Sequence, residues 1–206
     1  IGEALRAAFP ELPISLSHEV APIWREYERG STTIGDAFIK PAMRDYVAGV
    51  RQALESSQRR APVSMLKSNG GHLGLEHAPG QPAQFLLSGL AGGIVAARTY
   101  ARLAGVDNVF SLDMGGTSAD IGAIQGGIER SISEFDVSFG IPIVIPSVDV
   151  TTLGAGGGSI AWIDKGGLLQ VGPESAGAQP GPMCYGQGGQ RPTVTDANLA
   201  LGRLDP

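Results

Sequence analysis

Cysteine is almost missing from this chain of 206 residues. Cys184 stands alone, so no internal disulfide can form and a reducing cytoplasm is the expected setting. Long apolar runs are missing as well. The nearest, Leu86 to Ala97, falls short of the ~18 residues of a membrane helix and is interrupted by Ser88 and three glycines. No secretory signal pattern is visible at Ile1. Basic clusters are scarce: the formal net charge is -5, the pI is near 5.2, and Arg59-Arg60 is the densest pair. Nucleic acid and anionic membranes are therefore excluded as expected partners. Glycine, in contrast, is abundant. Its 31 residues are about twice the usual share of ~7% and gather from Gly70 onward without a collagen-like period, so many tight turns and close backbone approaches are expected.

A hydrophobic content of 42% and a charged content of 17% describe a globular chain with a sizeable core. It opens at Ile1 within "IGEALRAAFPELP" and stops at "NLALGRLDP", which is expected of a piece of a longer protein. Along it, "LPISL" (12–16) alternates like a short strand. Ser17 could cap a helix ending at Gly30. A long helix is expected from Thr33 to Ser57, with Ile34, Ala37, Phe38, Pro41, Tyr46, Val50 and Leu54 on its apolar stripe and a kink or break at Pro41. Val63–Lys67 reads as a buried strand before a turn at Asn69-Gly70-Gly71, and residues 71–84 as a loop.

Helix 88–105 should be capped by Ser88 and Gly105, with Leu90, Ile94, Ala97 and Ala101 on one face. Gly92 and Gly93 cost it ~1 kcal/mol each and should let another backbone or a ligand come close. Strands are then expected at Val109–Leu112 and Ala119–Ile124, with "GGIER" as a further extended piece. "GIPIVIPSVDVTTLGAGGGSIAWID" reads as strand, glycine turn, strand; residues 165–192 read as glycine-rich loops; and "TVTDANLALGRL" reads as a helix capped by Thr195 or Asp196, with Leu199, Leu201 and Leu204 as apolar contacts. Buried strands mixed with helices give an α/β class.

The densest chemistry lies in "FSLDMGGTSADIGAI", Phe110 to Ile124. A strand ending on Asp113 would put a carboxylate at a sheet tip. Gly115 and Gly116 could aim backbone N–H groups into a concavity that attracts phosphate, and Thr117 and Ser118 add hydroxyls. Asp113 could hold Mg²⁺ directly or through water, and Asp120 could orient the loop or a water. The same residues also make an ordinary hairpin turn, and local chemistry leaves both readings open. A Walker-type loop is excluded, because no G-K-[ST] occurs. "GAGGGS", with Gly156, Gly157, Gly158 and Ser159, is either a second nest for phosphate or substrate or a glycine turn joining two strands. His72, Glu76 and His77 lack the H-E-x-x-H spacing and read as a surface loop; His18-Glu19 reads as helix-start structure. Cys184 has no CxxC partner or evident base and reads as an inert thiol.

"LDMGGTSADIG" resembles the second phosphate loop of the hydantoinase/oxoprolinase family, Asp-Met-Gly-Gly-Thr-Ser-Thr-Asp. "SHEVAPIWREYERGSTT", "SNGG", "SGLAGG", "VDVTTLGAGGGSIAWID", "GPESAGAQPGPMCYGQGG" and "PTVTDANLALGRL" resemble further family segments in order, from about Leu12 to Leu204. The resemblance implies a partial ribonuclease-H-like α/β ATPase domain of the actin/hexokinase/Hsp70 superfamily. Residues 1–60 would form an N-terminal strand and helical segment. Residues 61–206 would form the core, continuous with it. A first phosphate loop and an adenosine segment are not recognisable here.

The resemblance also implies ATP-dependent opening of a cyclic amide (hydantoin, N-methylhydantoin or 5-oxoproline) through phosphorylation of a carbonyl oxygen. ATP and Mg²⁺ would be cofactors, and a hydantoinase B-type subunit or domain a partner. A subunit of an ATP-dependent ketone carboxylase, or a non-catalytic nucleotide-binding or assembly domain, are the alternatives. Asp113 and Thr117 are the implied catalytic residues, with Asp113 at Mg²⁺. Gly115, Gly116, Thr117, Ser118 and Asp120 are the implied phosphate binders. The chain departs from the family pattern at Ala119 (usually threonine), Leu90 (proline), Asp36 (asparagine) and His72 (an apolar residue).

Overall fold

The computed structural model describes residues 1–57, 61–137 and 140–205. Helix α1 (Gly2–Ala8) precedes an irregular stretch, then a single turn α2 (Ser17–Val20) and the long α3 (Glu26–Ser56). A hairpin of β1 (Ser64–Leu66) and β2 (His72–Gly74) leads through two 3₁₀ turns, Leu75–Gly80 and Pro82–Phe85, to α4 (Ser88–Leu103). Next come β3 (Val109–Met114), β4 (Ala119–Gln125) and β5 (Ile128–Glu129). Four two-residue strands follow: β6 (Ser131–Ile132), β7 (Phe135–Asp136), β8 (Pro142–Ile143) and β9 (Ser147–Val148). The rest is β10 (Val150–Leu153), β11 (Ser159–Ile163), β12 (Leu169–Ser175), a 3₁₀ turn at Met183–Tyr185, and α5 (Val194–Ala200).

The central sheet is antiparallel, in the order β10-β4-β3, with β5 also pairing β4. Its register sets Thr152 opposite Asp120, and Asp120 opposite Asp113. Period-2 alternation in β4 sends Asp120, Gly122 and Ile124 to one face. Helix α4 covers that face: Ala91, Ile94, Ile124 and Val148 form a buried cluster with Leu66, Ala97, Val109 and Val150 around it. Gly122 permits the approach, since a Cβ there would lie 2.4 Å from Ile94 Cδ1. On the opposite face Phe110 is 81% exposed. A second cluster joins Val47 of α3 to Leu75, Ala78 and Phe85.

Several expectations are corrected. "LPISL" forms no strand: Ile14 O accepts from Lys40 Nζ (3.2 Å) and Ser15 Oγ donates to Asp36 (2.6 Å), so this segment bonds to a helix and not to a ladder. Ser17 makes no capping bond, α2 ends at Val20 just before Pro22, and Gly30 lies inside α3. Helix α3 continues through Pro41; Pro41 and Ala37, whose carbonyl loses its donor there, are both exposed to water.

The stripe expected to be buried on α3 points largely outward. Ile34 is 71% and Phe38 84% exposed, whereas Thr32, Asp36, Lys40 and Val47 are buried. The physical reason lies in the neighbours. Irregular backbone needs hydrogen-bond partners, and this polar face supplies them: Thr32 Oγ1 accepts from Val144 N (2.9 Å), Asp36 Oδ1 from Ala83 N (3.1 Å), and Lys40 pairs with Asp36 (3.0 Å).

Helix α4 begins after Leu87 with no side-chain cap from Ser88. Gly105 follows its end at φ +70, the left-handed conformation a helix stop favours. Residues 165–192 contain a full strand, β12, paired with β11. The cap of α5 is Thr193, in a reciprocal capping box with Asp196, and not Thr195.

Candidate functional site

The segment Gly115–Ser118 is the turn of the β3–β4 hairpin, closed by Gly115 N donating to Ser118 O at 2.8 Å. Neither Gly115 nor Gly116 has a positive φ. A Cβ on Gly116 would meet no atom within 4 Å. Nothing internal requires glycine at 116, so the position leaves open space in front of the turn. Among the described residues, the N–H groups of Gly116, Thr117 and Ser118 and the Thr117 hydroxyl donate to no acceptor. Three successive free N–H groups beside a hydroxyl can receive an anion's oxygens.

The two aspartates stand directly across the ladder, Asp113 on β3 and Asp120 on β4. Asp120 accepts one bond, from Thr152 Oγ1 at 2.6 Å, and Asp113 accepts none among the described residues. Like charges directly opposite one another in a sheet are unfavourable, so the pair is a donor set that a divalent cation would suit. Both carboxylates line a cleft of about 370 Å³ between α4 and the sheet, with Gly93, Ala97, Tyr100 and Ser111. Gly93 opens onto that cleft, while a Cβ on Gly92 would come within 3.3 Å of Leu66. A larger groove of about 720 Å³ follows the outer side of α3. Its lining is apolar apart from Glu26, Tyr27 and Ser31, and it lacks such a donor set.

"GAGGGS" does not join two paired strands. Its flanking strands belong to different sheets, β10 to the central one and β11 to the β11–β12 hairpin. Nor do Gly156 to Ser159 keep free backbone donors for a second nest. Gly156 N donates to Ser159 Oγ (2.8 Å), Gly157 N to Gly115 O (2.8 Å), Gly158 N to Gly116 O (2.6 Å), and Ser159 N to Gly156 O (3.0 Å). The segment is a shelf under the first turn. A Cβ on Gly156 would sit 2.7 Å from Ser118 N and from Thr117 C, so only glycine fits that stacking. Sequence reasoning singled out both glycine segments but not their contact, and it missed Thr152. The β-strand spacing around each was visible; which strands pair was not.

Other candidates lie elsewhere. Among the described residues no cluster of three or more His, Cys, Asp or Glu side chains could hold a metal. His72 and His77 are exposed. Cys184 sits exposed in the Met183–Tyr185 turn, where reduced hydration by its neighbours and then the Asp196 carboxylate push its thiol up, away from the reactive thiolate. Asp196 is drawn upward by burial, but bonds from Cys184 N, Thr193 Oγ1 and Thr193 N outweigh this and hold it at about 2. No helix among the described residues is long and apolar enough to cross a membrane.

Comparison with known proteins gives this geometry a family. The chain is 45% identical over 205 residues to caprolactamase subunit alpha of Pseudomonas jessenii; the match covers 97% of this chain and 29% of that one. The crystal structure of the ATP-dependent caprolactamase from the same organism superposes with a TM-score of 0.75 at 42% identity, over 98% of this chain and 29% of the other. The nucleotide-free structure of acetone carboxylase also gives 0.75, at 25% identity, over 99% and 28%. A 5-oxoprolinase of Dictyostelium discoideum is 36% identical over 206 residues, 94% of this chain and 16% of that one. This chain thus spans less than a third of the length of these relatives. The family model for hydantoinase/oxoprolinase matches residues 29–206, and the chain belongs to that family.

Proposed function

We propose that this chain is the phosphate-binding part of an ATP-dependent enzyme that opens cyclic amides, and that the Gly115–Ser118 turn is its phosphate loop. The observation that carries the reading is the turn itself: three adjacent unsatisfied N–H groups and the Thr117 hydroxyl, one step from two opposed carboxylates. The site suits Mg²⁺ and a polyphosphate, because among the described residues no basic side chain pairs with either carboxylate and Gly116 leaves room before the turn. Asp113, with Asp120 behind it, would hold the metal directly or through water; Gly115, Gly116, Thr117 and Ser118 would hold phosphate oxygens. When bound, the metal-nucleotide would supply a phosphoryl group, released from the remaining diphosphate, that on the amide oxygen makes the amide carbon a better electrophile for the water whose addition lets the ring C–N bond break.

The chain's own contribution is electrostatic and positional. Fixed N–H dipoles face the charge that develops on the transferred group, and they need no reorganisation when it forms. Thr152 keeps Asp120 oriented. Helix α4 walls one side of the cleft and limits water. The ribonuclease-H-like, actin/hexokinase/Hsp70-type assignment fits an antiparallel three-strand unit with a glycine turn between its first two strands, covered by a helix. A hydantoinase B-type partner subunit is part of the proposal, and the naming of the caprolactamase relative as a subunit supports it.

The test is phosphate release by the full-length protein with its partner subunit, with and without lactams, hydantoins or 5-oxoproline. Cyclic-amide stimulation, lost by at least ~100-fold in Asp113→Asn, is the expected result. Stimulation by a ketone with bicarbonate instead would make it a carboxylase subunit. No stimulation by either would leave a nucleotide-binding or assembly domain.

A further inference from the structure

Thr195 is free to act away from its own helix. The N-terminus of α5 is satisfied by Thr193 and Asp196, whose side chains and backbone bond reciprocally. Thr195 instead directs two donors at one atom: its N–H reaches Gly157 O at 2.8 Å and its hydroxyl reaches the same oxygen at 2.9 Å. Gly157 N in turn donates to Gly115 O at 2.8 Å, and the neighbouring Gly158 N donates to Gly116 O at 2.6 Å. A continuous run of bonds therefore joins α5 to the turn that carries the free N–H groups.

The shelf between them is saturated. The carbonyls of Gly156, Gly157 and Gly158 accept from Ser159 N, from Thr195, and from Ala176 N, and all three N–H groups donate. A segment with every backbone group bonded has little freedom to relax when one bond is lost. A side chain at Gly157 would displace the Thr195 hydroxyl, since a Cβ would lie 2.7 Å from Thr195 Oγ1.

We infer that Thr195 is a positioning residue for the phosphate loop: through Gly157 it sets the height and orientation of Gly115 and Gly116, and thereby the affinity for the nucleotide's phosphates. This rests on the phosphate reading of Gly115–Ser118. Thr195 touches no phosphate itself.

The test compares Thr195→Val, which keeps the shape and the N–H but removes the hydroxyl, with Thr195→Ser, which keeps the hydroxyl. Both are made in the full-length protein with its partner subunit. Amide-stimulated ATP turnover is measured with each substrate varied. One hydrogen bond is worth about fivefold, so Thr195→Val should raise KM for ATP by about that factor, with KM for the amide unchanged. Thr195→Ser should stay within about twofold of wild type. A residue that only supported folding would lower the active fraction, and so kcat, without this split. An unchanged KM for ATP in Thr195→Val, a fall in kcat alone, or a serine variant as weak as valine would each overturn the inference. Thr117→Ala separates the two levels. If it weakens ATP and Thr195→Val does not, only the role of Thr195 falls. If neither Thr117→Ala nor Asp113→Asn alters KM for ATP, the phosphate reading falls and the inference with it.

Discussion

Gly156→Ala should be far more damaging than its one added methyl suggests. The new Cβ would stand 2.7 Å from Ser118 N, 2.7 Å from Thr117 C and 2.8 Å from Gly115 O, where ordinary contact begins at 3.4 Å. All three are backbone atoms, so no side chain can swing aside. The turn and the shelf must part by roughly 0.7 Å. The bonds from Gly157 N and Gly158 N, now 2.8 and 2.6 Å, would stretch toward the limit of hydrogen bonding. Overpacking costs about 1–3 kcal/mol, and each weakened bond up to about 1 kcal/mol more. A displacement of this order in a phosphate loop should lower kcat/KM by roughly 10- to 100-fold.

Gly154→Ala is the internal control, since a Cβ there meets nothing within 4 Å and Gly154 lacks a positive φ. Urea midpoints and amide-stimulated ATP turnover of the full-length protein would be measured for both. Wild-type behaviour of Gly154→Ala beside a destabilised, slow Gly156→Ala is expected. If the two variants behave alike, the stacking of the glycine shelf on the turn is not what fixes the loop.

Two further outcomes follow from buried and hydrogen-bonded carboxylates. Asp36→Ala removes the acceptor for Ala83 N and Ser15 Oγ and strands the buried Lys40 ammonium, so it should cost about 3–5 kcal/mol in denaturant unfolding; Asp36→Asn, which keeps an acceptor, should cost less, and a loss under about 0.5 kcal/mol in the alanine variant would refute the network's role. Asp196 is held at about 2, below its unfolded value of 3.8, so its contribution is complete above the usual carboxylate range and disappears as pH falls from about 4 towards 2. Urea midpoints of wild type and Asp196→Asn should therefore differ at pH 6 and converge near pH 2; a constant gap across that range would contradict the assignment.

The hairpin carrying the site was legible because its signals are local. Short, mostly apolar runs at 109–112 and 119–124 flank Gly-Gly-Thr-Ser. Its two aspartates were visible as candidates, although only the register showed that Asp113 faces Asp120 across the ladder. Helix α3 shows the opposite case. Its apolar spacing was real, yet the face turned inward is Thr32, Asp36 and Lys40, because the backbone of residues 14, 83 and 144 and the Ser15 hydroxyl find their polar partners there. "GAGGGS" was likewise legible as a glycine turn between two strands, but not that those strands join different sheets.

Sequence by itself determined the two long helices, the β3–β4 hairpin and the family, since propensity, short-range periodicity and ordered motifs are properties of neighbours along the chain. Tertiary structure alone decided what those pieces do to one another. It set two glycine segments some forty residues apart in backbone contact, spent the N–H groups of Gly157 and Gly158 to hold the turn, and left those of Gly116, Thr117 and Ser118 free among the described residues. The physical reason is that hydrogen-bond satisfaction is settled across the fold. Whether a glycine loop can receive an anion depends on which of its N–H groups the rest of the chain has already taken.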